Sequence, residues 1–589
     1  MKIAKLVLLS LTIFATIAIN NLSMTFASQK QLEIGSEISL LSDPFLQLPT
    51  ENTVNVVWFT EFKGDRHLVK YGKQLGQQAI ASTTKLSRVR EDRDSQLDHP
   101  RAKSFRDIWR HEAVVTGLTP NQRVPYQVES IQDRQVVSSD RFTLASQPTS
   151  STSLQILFTS DHQLMPMTTA NLEQVVKTVG QVDAVFFPGD LVNIPDRASE
   201  WFDDLRGGAF FPSLQGKANY KLESNGTTTT YHGGQIIQHA PLFTAVGNHE
   251  VMGKVSPNST LKQEFNQPHP RQVAKEFYQS TAEVVNPTNN PQVEADWIKN
   301  NSFNTDTYEE IFTLPKSSTG GKRYYATTFG DIRLISLYVT NIWRSSSLEA
   351  DAQGRYKESN TDLNKPKFWG YGQHIFEPIA QGSPQYEWLT QELQSKAYRQ
   401  AKYKIVMLHH PPHTLGGNIV PPYTDPQPKL YYSEDGEVKS RYYDYPIEND
   451  YIIRDLIPLL ESAGVQLVYY GHSHLWNRFQ SNSGMHFLES SNVGNSYGAH
   501  LGDNPREIPT YSWQNFATTG NPNGLPPIVP NIAPLIANSG QPLPYIASNE
   551  ITVFSIFNTA TGIINSYRYD TRQPNSAAIK FDQFKLKDN

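Results

Sequence analysis

Five short motifs carry the side chains that could do chemistry: Ser160-Asp161-His162-Gln163, Gly189-Asp190, Gly247-Asn248-His249-Glu250, His409-His410 and Gly471-His472-Ser473-His474. Carboxylate, amide and imidazole groups of this kind bind cations through oxygen and nitrogen. The chain has no cysteine, which excludes thiolate ligands, disulfides and a cysteine nucleophile. A site holding two metal ions is the reading these residue types favour together. Asp161 and Gln163, two apart on an extended segment, face the same way and can reach one cation while His162 points elsewhere. Asp190 has two oxygens and can bridge two cations, or can cap a helix. Asn193 shares a face with Asp190 if a helical turn begins there, and is otherwise a surface asparagine.

Asn248 offers a neutral oxygen. His249 beside it points in another direction and is free for proton transfer, and Glu250 either fixes the His249 tautomer or is an ordinary helix-start acid. His409 and His410 are consecutive, so one can ligate while the other packs or binds substrate. His472 and His474 can serve two neighbouring cations about 3.5–4 Å apart. His413 reads as a loop histidine rather than a substrate contact, and Arg478 as either a phosphate contact or a structural residue.

The elements that position these residues are legible as apolar runs directly before each motif: Leu154–Thr159, Ala184–Phe187, Leu242–Val246, Lys404–Leu408 and Val465–Tyr470. They are short and rich in Val, Ile, Leu, Phe and Tyr, as buried strands are. The ligand-type side chains therefore stand at the C-terminal ends of strands, where an open α/β sheet places its site. Asn171–Val179, Gln385–Ala397 and Tyr451–Ala463 are expected helices, Ile332–Tyr338 a further strand, and Ile551–Asn558 with Ile563–Tyr569 a terminal hairpin. Residues 30–147 read as all-β and resemble a fibronectin type III-like sandwich, in which Tyr126 could pin a corner. Within them, Lys73–Lys103 is polar and charged and reads as an exposed insertion.

The 589 residues exceed one ordinary domain, and the 35 Gly and 38 Pro call for long loops. A formal charge of −5 with no basic block gives no indication of a nucleic-acid partner. Lys2 and Lys5, the apolar stretch Leu6–Ile19 and Thr25-Phe26-Ala27 read as a signal peptide, residues 1–27, with Ser28 opening the mature chain, the other reading being an uncleaved anchor. Export to the periplasm or the extracellular space is expected, with no membrane span after cleavage and a formal charge moved from −5 to −7 by the loss of the two lysines. The stretches 251–321, 411–450 and 504–548 each follow a motif, so they could wall or cover the site.

In their order the five motifs resemble the calcineurin-like metallophosphoesterases. The sandwich in front, Gly-Asn-His-Glu and Gly-His-Ser-His-Leu-Trp-Asn-Arg resemble the purple acid phosphatase branch. The resemblance implies a four-layer α/β/β/α catalytic domain over 153–575. It implies one metal held by Asp161, Asp190 and His474, completed by Gln163, Asn193 or water, and a second held by Asp190, Asn248, His409 and His472. Asp190 bridges the two ions, and His249 assists the leaving group. His409 takes the ligand position because the family's ligand is the first residue after that strand, which leaves His410, with His249 and Arg478, facing the substrate. The function implied is hydrolysis of small phosphate monoesters by in-line attack of a metal-activated hydroxide, with Fe, Zn or Mn as the ions. A phosphodiesterase or nucleotidase on the same scaffold, or an inactive binding protein, are the alternatives. Purple acid phosphatases carry tyrosine where this chain has Asn193, so the purple colour is not expected.

Overall fold

The computed structural model describes residues 38–98, 102–256, 258–344, 357–418, 422–508 and 517–587. The expected signal peptide lies outside the described residues. Among the described residues no helix is long and apolar enough to cross a membrane.

The N-terminal part is a sandwich of two antiparallel sheets. One orders the strands Phe45–Gln47, Val54–Thr60, Trp109–Val115 and Ser82–Lys85. The other orders Gln135–Ser138, Val124–Gln132, Arg66–Tyr71 and Gln77–Ile80, with Phe142–Leu144 also paired to Val124–Gln132. Period-two alternation turns Val54, Val56 and Trp58 into the sandwich core with Val69, Tyr126 and Val128. The alternate residues Val57 and Phe59 belong to the core of the second domain. Val54–Thr60 is thus buried on both faces, which explains its nearly unbroken apolar run.

Among its described residues, the stretch Lys73–Lys103 is exposed only in part. It supplies the strands Gln77–Ile80 and Ser82–Lys85, and then a buried run from Arg88 to Asp92 against the second domain. Its charges are there because they are paired: Arg88 with Asp306 at 2.8 Å, and Arg90 with Asp196 at 3.1 Å and Glu264 at 2.6 Å. Tyr126 does not pin a corner of its own domain. Its hydroxyl donates to the carbonyl of Gln238, 2.7 Å away in the second domain.

The second domain is four-layered. A six-stranded sheet runs Leu242–Thr244, Ala184–Phe187, Gln155–Phe158, Ile551–Asn558, Ile563–Asp570 and Ile579–Lys585. The first three strands are mutually parallel and the terminal three antiparallel, so the sheet continues past residue 575. A seven-stranded sheet runs Tyr325–Phe329, Ile332–Ser336, Tyr403–Met407, Leu467–Tyr470, His486–Ser490, Trp476–Gln480 and Tyr545–Ile546, with its middle four parallel. The sheets face each other through a shared apolar core in which Phe158 stacks on Tyr469 at 4.7 Å between ring centres. Thr168–Val179 covers the outside of the first sheet, where Asn171 donates to the carbonyl of Val553. Pro384–Glu392 and Ile457–Ser462 cover the second through Leu389 and Leu460.

Two expected helices are interrupted. Ser395 accepts from the amide of Tyr398 and starts a new helix, Lys396–Gln400, after Pro384–Glu392. Ahead of Pro458, which lacks an amide proton, the chain Ile452–Leu456 is wound in the wider π form before Ile457–Ser462 resumes the α form.

Candidate metal centre

The five strand ends meet where the two sheets open together. Donor atoms of Asp161, Asp190 and His409 lie within 4.8 Å of one another, as do those of His409, His410 and His472. All five residues are buried. Three glycines make this convergence possible. A Cβ on Gly471 would stand 2.2 Å from Asp161 Oδ2, and one on Gly247 would stand 2.3 Å from Asp190 Oδ1. A Cβ on Gly189 would strike the Gly247 amide at 2.6 Å. Each motif glycine is there because carboxylate or backbone occupies the space of a side chain.

The backbone that aims the ligands is strained, not extended. Asp161, Gln163, Asp190, His472 and His474 all have positive φ, at 57°, 40°, 59°, 79° and 54°. The common direction of Asp161 with Gln163, and of His472 with His474, therefore comes from left-handed turns rather than from strand periodicity. Such conformations cost about 1–3 kcal/mol each and persist where surrounding structure enforces them. Two buried glutamates supply that enforcement. Glu250 accepts from the amides of Gly247, Asp190 and Leu191 at 2.7–2.8 Å. Glu489 accepts from the amide of Ser473 at 2.7 Å and from the side chain of Asn477. Burial raises Glu250 to about 8, assisted by the neighbouring charge of Asp190, and raises Glu489 well above the usual carboxylate range. Glu250 thus ties two motif loops together and does not touch His249 in the way the sequence suggested.

Backbone carbonyls, which can only accept, set the imidazole tautomers. His409 Nδ1 donates to Pro188 at 3.0 Å, His474 Nδ1 to Asn495 at 3.0 Å, and His249 Nδ1 to Asn193 at 2.6 Å. The Nε2 atoms are left to face the carboxylates: His409 at 3.1 Å from Asp190 Oδ2, His474 at 3.5 Å from Asp161 Oδ1, and His249 at 4.0 Å from Asp190 Oδ2. Asp161 takes the His472 amide on both oxygens at 3.0 Å. Asp190 takes the His249 amide at 2.9 Å and the Gln163 side-chain amide at 3.0 Å.

Charge follows this arrangement. Burial disfavours the charged form of every group here. For Asp190 the imidazoles of His409 and His249 outweigh burial and hold the carboxyl below its usual range. For His409 the carboxylates of Asp190 and Asp161 outweigh burial and raise it to about 9. His410 and His472 are pushed well down by burial and by adjacent imidazoles, so both are neutral donors. The carboxylates draw positive charge onto His409, while His410 and His472 stay neutral beside it.

The donor set fits metal ions. Gln163 Oε1, Asn248 Oδ1 and His472 Nε2 are buried atoms with no hydrogen-bond partner in the protein. Buried polar atoms are nearly always paired, so a cluster of unpaired ones facing carboxylates is the arrangement a cation completes. His410 Nε2 is also without a partner, while its Nδ1 is held by Thr340 Oγ1 at 2.6 Å and its ring stacks on His472 at 3.7 Å.

Other sequence candidates lie elsewhere. Asn193 begins no helical turn; its side-chain amide donates to the carbonyl of Gln163 at 2.6 Å and its carbonyl holds His249, so it braces the centre from outside. Asp190 likewise caps no helix, since the next helix begins at Ala198. Arg478 is a correction to the expected phosphate contact: it forms a buried bidentate pair with Asp582, at 3.0 and 3.2 Å, across to the last strand of the six-stranded sheet. His162 points into the core against Phe187, and His413 packs on Phe487. Sequence reading missed Glu489, which stands inside the strand His486–Ser490, and Arg344, which follows Thr340–Trp343 with no motif of its own. Of the three polar stretches, 251–321 places Phe265 against His249 with ring centres 5.1 Å apart. In 411–450, Asn418 holds the carbonyl of His472. In 504–548, Arg506 binds the carbonyls of Thr414 and Gly416.

Residues 154–475 match the calcineurin-like phosphoesterase family, and residues 42–146 match the N-terminal domain of purple acid phosphatases. No curated protein sequence matches the chain. Among solved structures, purple acid phosphatase PPD1 from yellow lupin (Lupinus luteus) seeds is similar at 13% identity with a TM-score of 0.50, over 92% of this chain and 74% of that one. GAP50, described as the anchor in the inner membrane complex of Plasmodium, aligns at 11% identity and a TM-score of 0.31, over 74% of this chain and 90% of that one.

Proposed function

The chain belongs to the calcineurin-like phosphoesterase family and is a metal-dependent phosphoester hydrolase, and we propose that it is an exported phosphatase acting on small phosphate monoesters. The observation that carries the reading is the buried meeting of Asp161, Asp190 and His409 beside unpartnered atoms of Asn248, Gln163 and His472. Asp161, Asp190, His474 and Gln163 would hold one ion, and Asp190, Asn248, His409 and His472 the other. The ions, drawn from Fe, Zn or Mn, would supply a site for phosphate oxygens and activation of water near neutral pH.

The remaining work falls to this chain's own residues. The Asn193 carbonyl fixes His249 with its Nε2 toward Asp190, and the same imidazole lines a cavity of about 340 Å³. A leaving group in that cavity has its ester oxygen next to His249, which can pass it a proton from Nε2 only in the doubly protonated form, disfavoured by burial and favoured by the charge of Asp190. The cavity wall includes Asp94 and Gln96 of the N-terminal domain as well as Arg206 and Lys262, so both domains shape the leaving-group side. Burial of Asp161, Asp190 and His409 excludes water from the ligand side of the centre and strengthens its electrostatics.

Turnover of p-nitrophenyl phosphate against bis-p-nitrophenyl phosphate, with metal analysis of the freshly purified protein, tests the reading. About two metal ions per chain and faster turnover of the monoester are expected. Faster turnover of the diester would make the enzyme a phosphodiesterase. No metal and no hydrolysis of either ester would leave a binding protein. No purple absorption band is expected after aerobic purification, because Asn193 stands where the purple branch has tyrosine. A strong band would place a tyrosine from elsewhere on iron.

A further inference from the structure

Arg344 is a cation buried beside the centre without an acid to neutralise it. Its relative exposure is 2%, and among the described residues no carboxylate lies within ion-pair distance. The guanidinium donates to two neutral carbonyls, of Trp343 at 2.8 Å and of Phe265, while its Nε has no partner. Four of the other buried arginines are answered differently. Arg90 has Asp196 and Glu264, Arg106 has Glu91, Glu61 and Asp203, Arg478 has Asp582, and Arg506 has each donor group on a carbonyl. Arg344 alone among these has neither an acid nor a partner for each donor group, so an anion from outside the chain would complete it.

Its surroundings say where that anion sits. Arg344 directly follows the strand Thr340–Trp343, which lies against the turn Asn248–Glu250. The guanidinium covers the Phe265 ring at 4.1 Å, and the same ring meets His249. The preceding residue, Trp343, meets the ring of His472 edge-on at 4.8 Å. Arg344 is therefore flanked by the contacts of the residue that faces the leaving group and of a residue placed at the second ion. Burial lowers its pKa to about 9, opposed by the charge of Asp190, which places the two groups within electrostatic reach.

We propose that Arg344 is a substrate-binding residue whose guanidinium takes a non-bridging oxygen of the phosphoryl group as the ester settles between His249 and His472. The planar fork of N–H groups suits phosphate oxygens, and the bound dianion supplies the missing negative charge. This rests on the phosphatase reading above and deepens it.

The test uses the full metal-loaded protein with Arg344→Gln and Arg344→Lys. Inorganic phosphate is the probe, titrated calorimetrically, alongside metal content and separate KM and kcat values. Arg344→Gln is expected to weaken phosphate binding by ~10–100-fold, the range for losing a charge-assisted hydrogen bond, and to raise KM with the metal content unchanged. Arg344→Lys should recover part of the affinity as a point charge. Unchanged phosphate affinity in Arg344→Gln at full metal content would overturn the proposal. So would loss of metal in both variants, which would make Arg344 a support of the centre. A wild-type protein that holds its metals but neither binds phosphate nor hydrolyses esters would instead sink the phosphatase reading itself.

Discussion

The domain boundary and the metal centre are built from the same material, buried carboxylates, and differ in what answers them. At the boundary each acid meets a protein cation: Arg90 lies between Asp196 and Glu264, Arg106 holds Glu91, Glu61 and Asp203, and Arg197 holds Asp92 and Glu200. At the centre Asp161 and Asp190 meet imidazoles and backbone amides, and donor atoms beside them are left without partners. A buried ionic network that closes on itself fastens two domains; one left open reaches for something outside the chain. Removing a partner from the closed kind costs folding free energy, whereas removing one from the open kind costs ligand.

The sharpest way to break the comparison is at the centre. Asp190→Ala or His472→Ala should lower turnover by at least about 10³-fold and reduce metal content, because groups acting as a unit fail together. Turnover and metal analysis check this, and full activity in either variant would overturn the site assignment. At the boundary, Arg90→Met leaves Asp196 and Glu264 buried without their cation. A loss of about 3–5 kcal/mol is expected, read as a lower urea midpoint, while kcat of the folded protein holds. A fall in kcat with no change in the midpoint would show that the boundary is not merely structural.

At neutral pH the smallest effect belongs to a third case, buried imidazoles satisfied within the sandwich. His111 bonds Thr60 at 2.8 Å and Thr83 at 3.0 Å and stacks on His67 at 3.5 Å. Burial, with the neighbouring His67 and Arg110, pushes His111 down to about 2. The unfolded chain takes up that proton near 6.5 and the native one does not, so stability falls as pH drops from 6.5 toward 2. One such group sets a slope of at most about 1.4 kcal/mol per pH unit. His111→Gln should flatten urea midpoints measured across that window, and an unchanged slope would remove His111 as the cause.

The apolar runs before the motifs and the types of the motif residues were legible in the sequence because strands and turns are local. Leu154–Thr159 and Val465–Tyr470 announce themselves within a few residues. Their closing glycines did as well, although the reason for each glycine is an atom from a distant motif, such as Asp161 Oδ2 under Gly471. What was misread depended on partners far along the chain. Arg478 lies near a motif yet is taken by Asp582, and the charged run around Arg90 looks solvated until Asp196 and Glu264 are placed beside it. Asp161 and Gln163 share a direction for a reason periodicity does not contain, a left-handed backbone held by contacts from other loops.

By itself, the sequence determined which chemistry is available: oxygen and nitrogen donors without thiols, each set at the end of a buried strand. Tertiary structure alone decided which of those donors stay unpaired, which histidine nitrogen is free, and that Arg344 is buried without an acid. The physical reason is that pairing and burial belong to atoms brought together across hundreds of residues. The identity of a side chain limits what it can bind, and only its neighbours decide whether it is already bound.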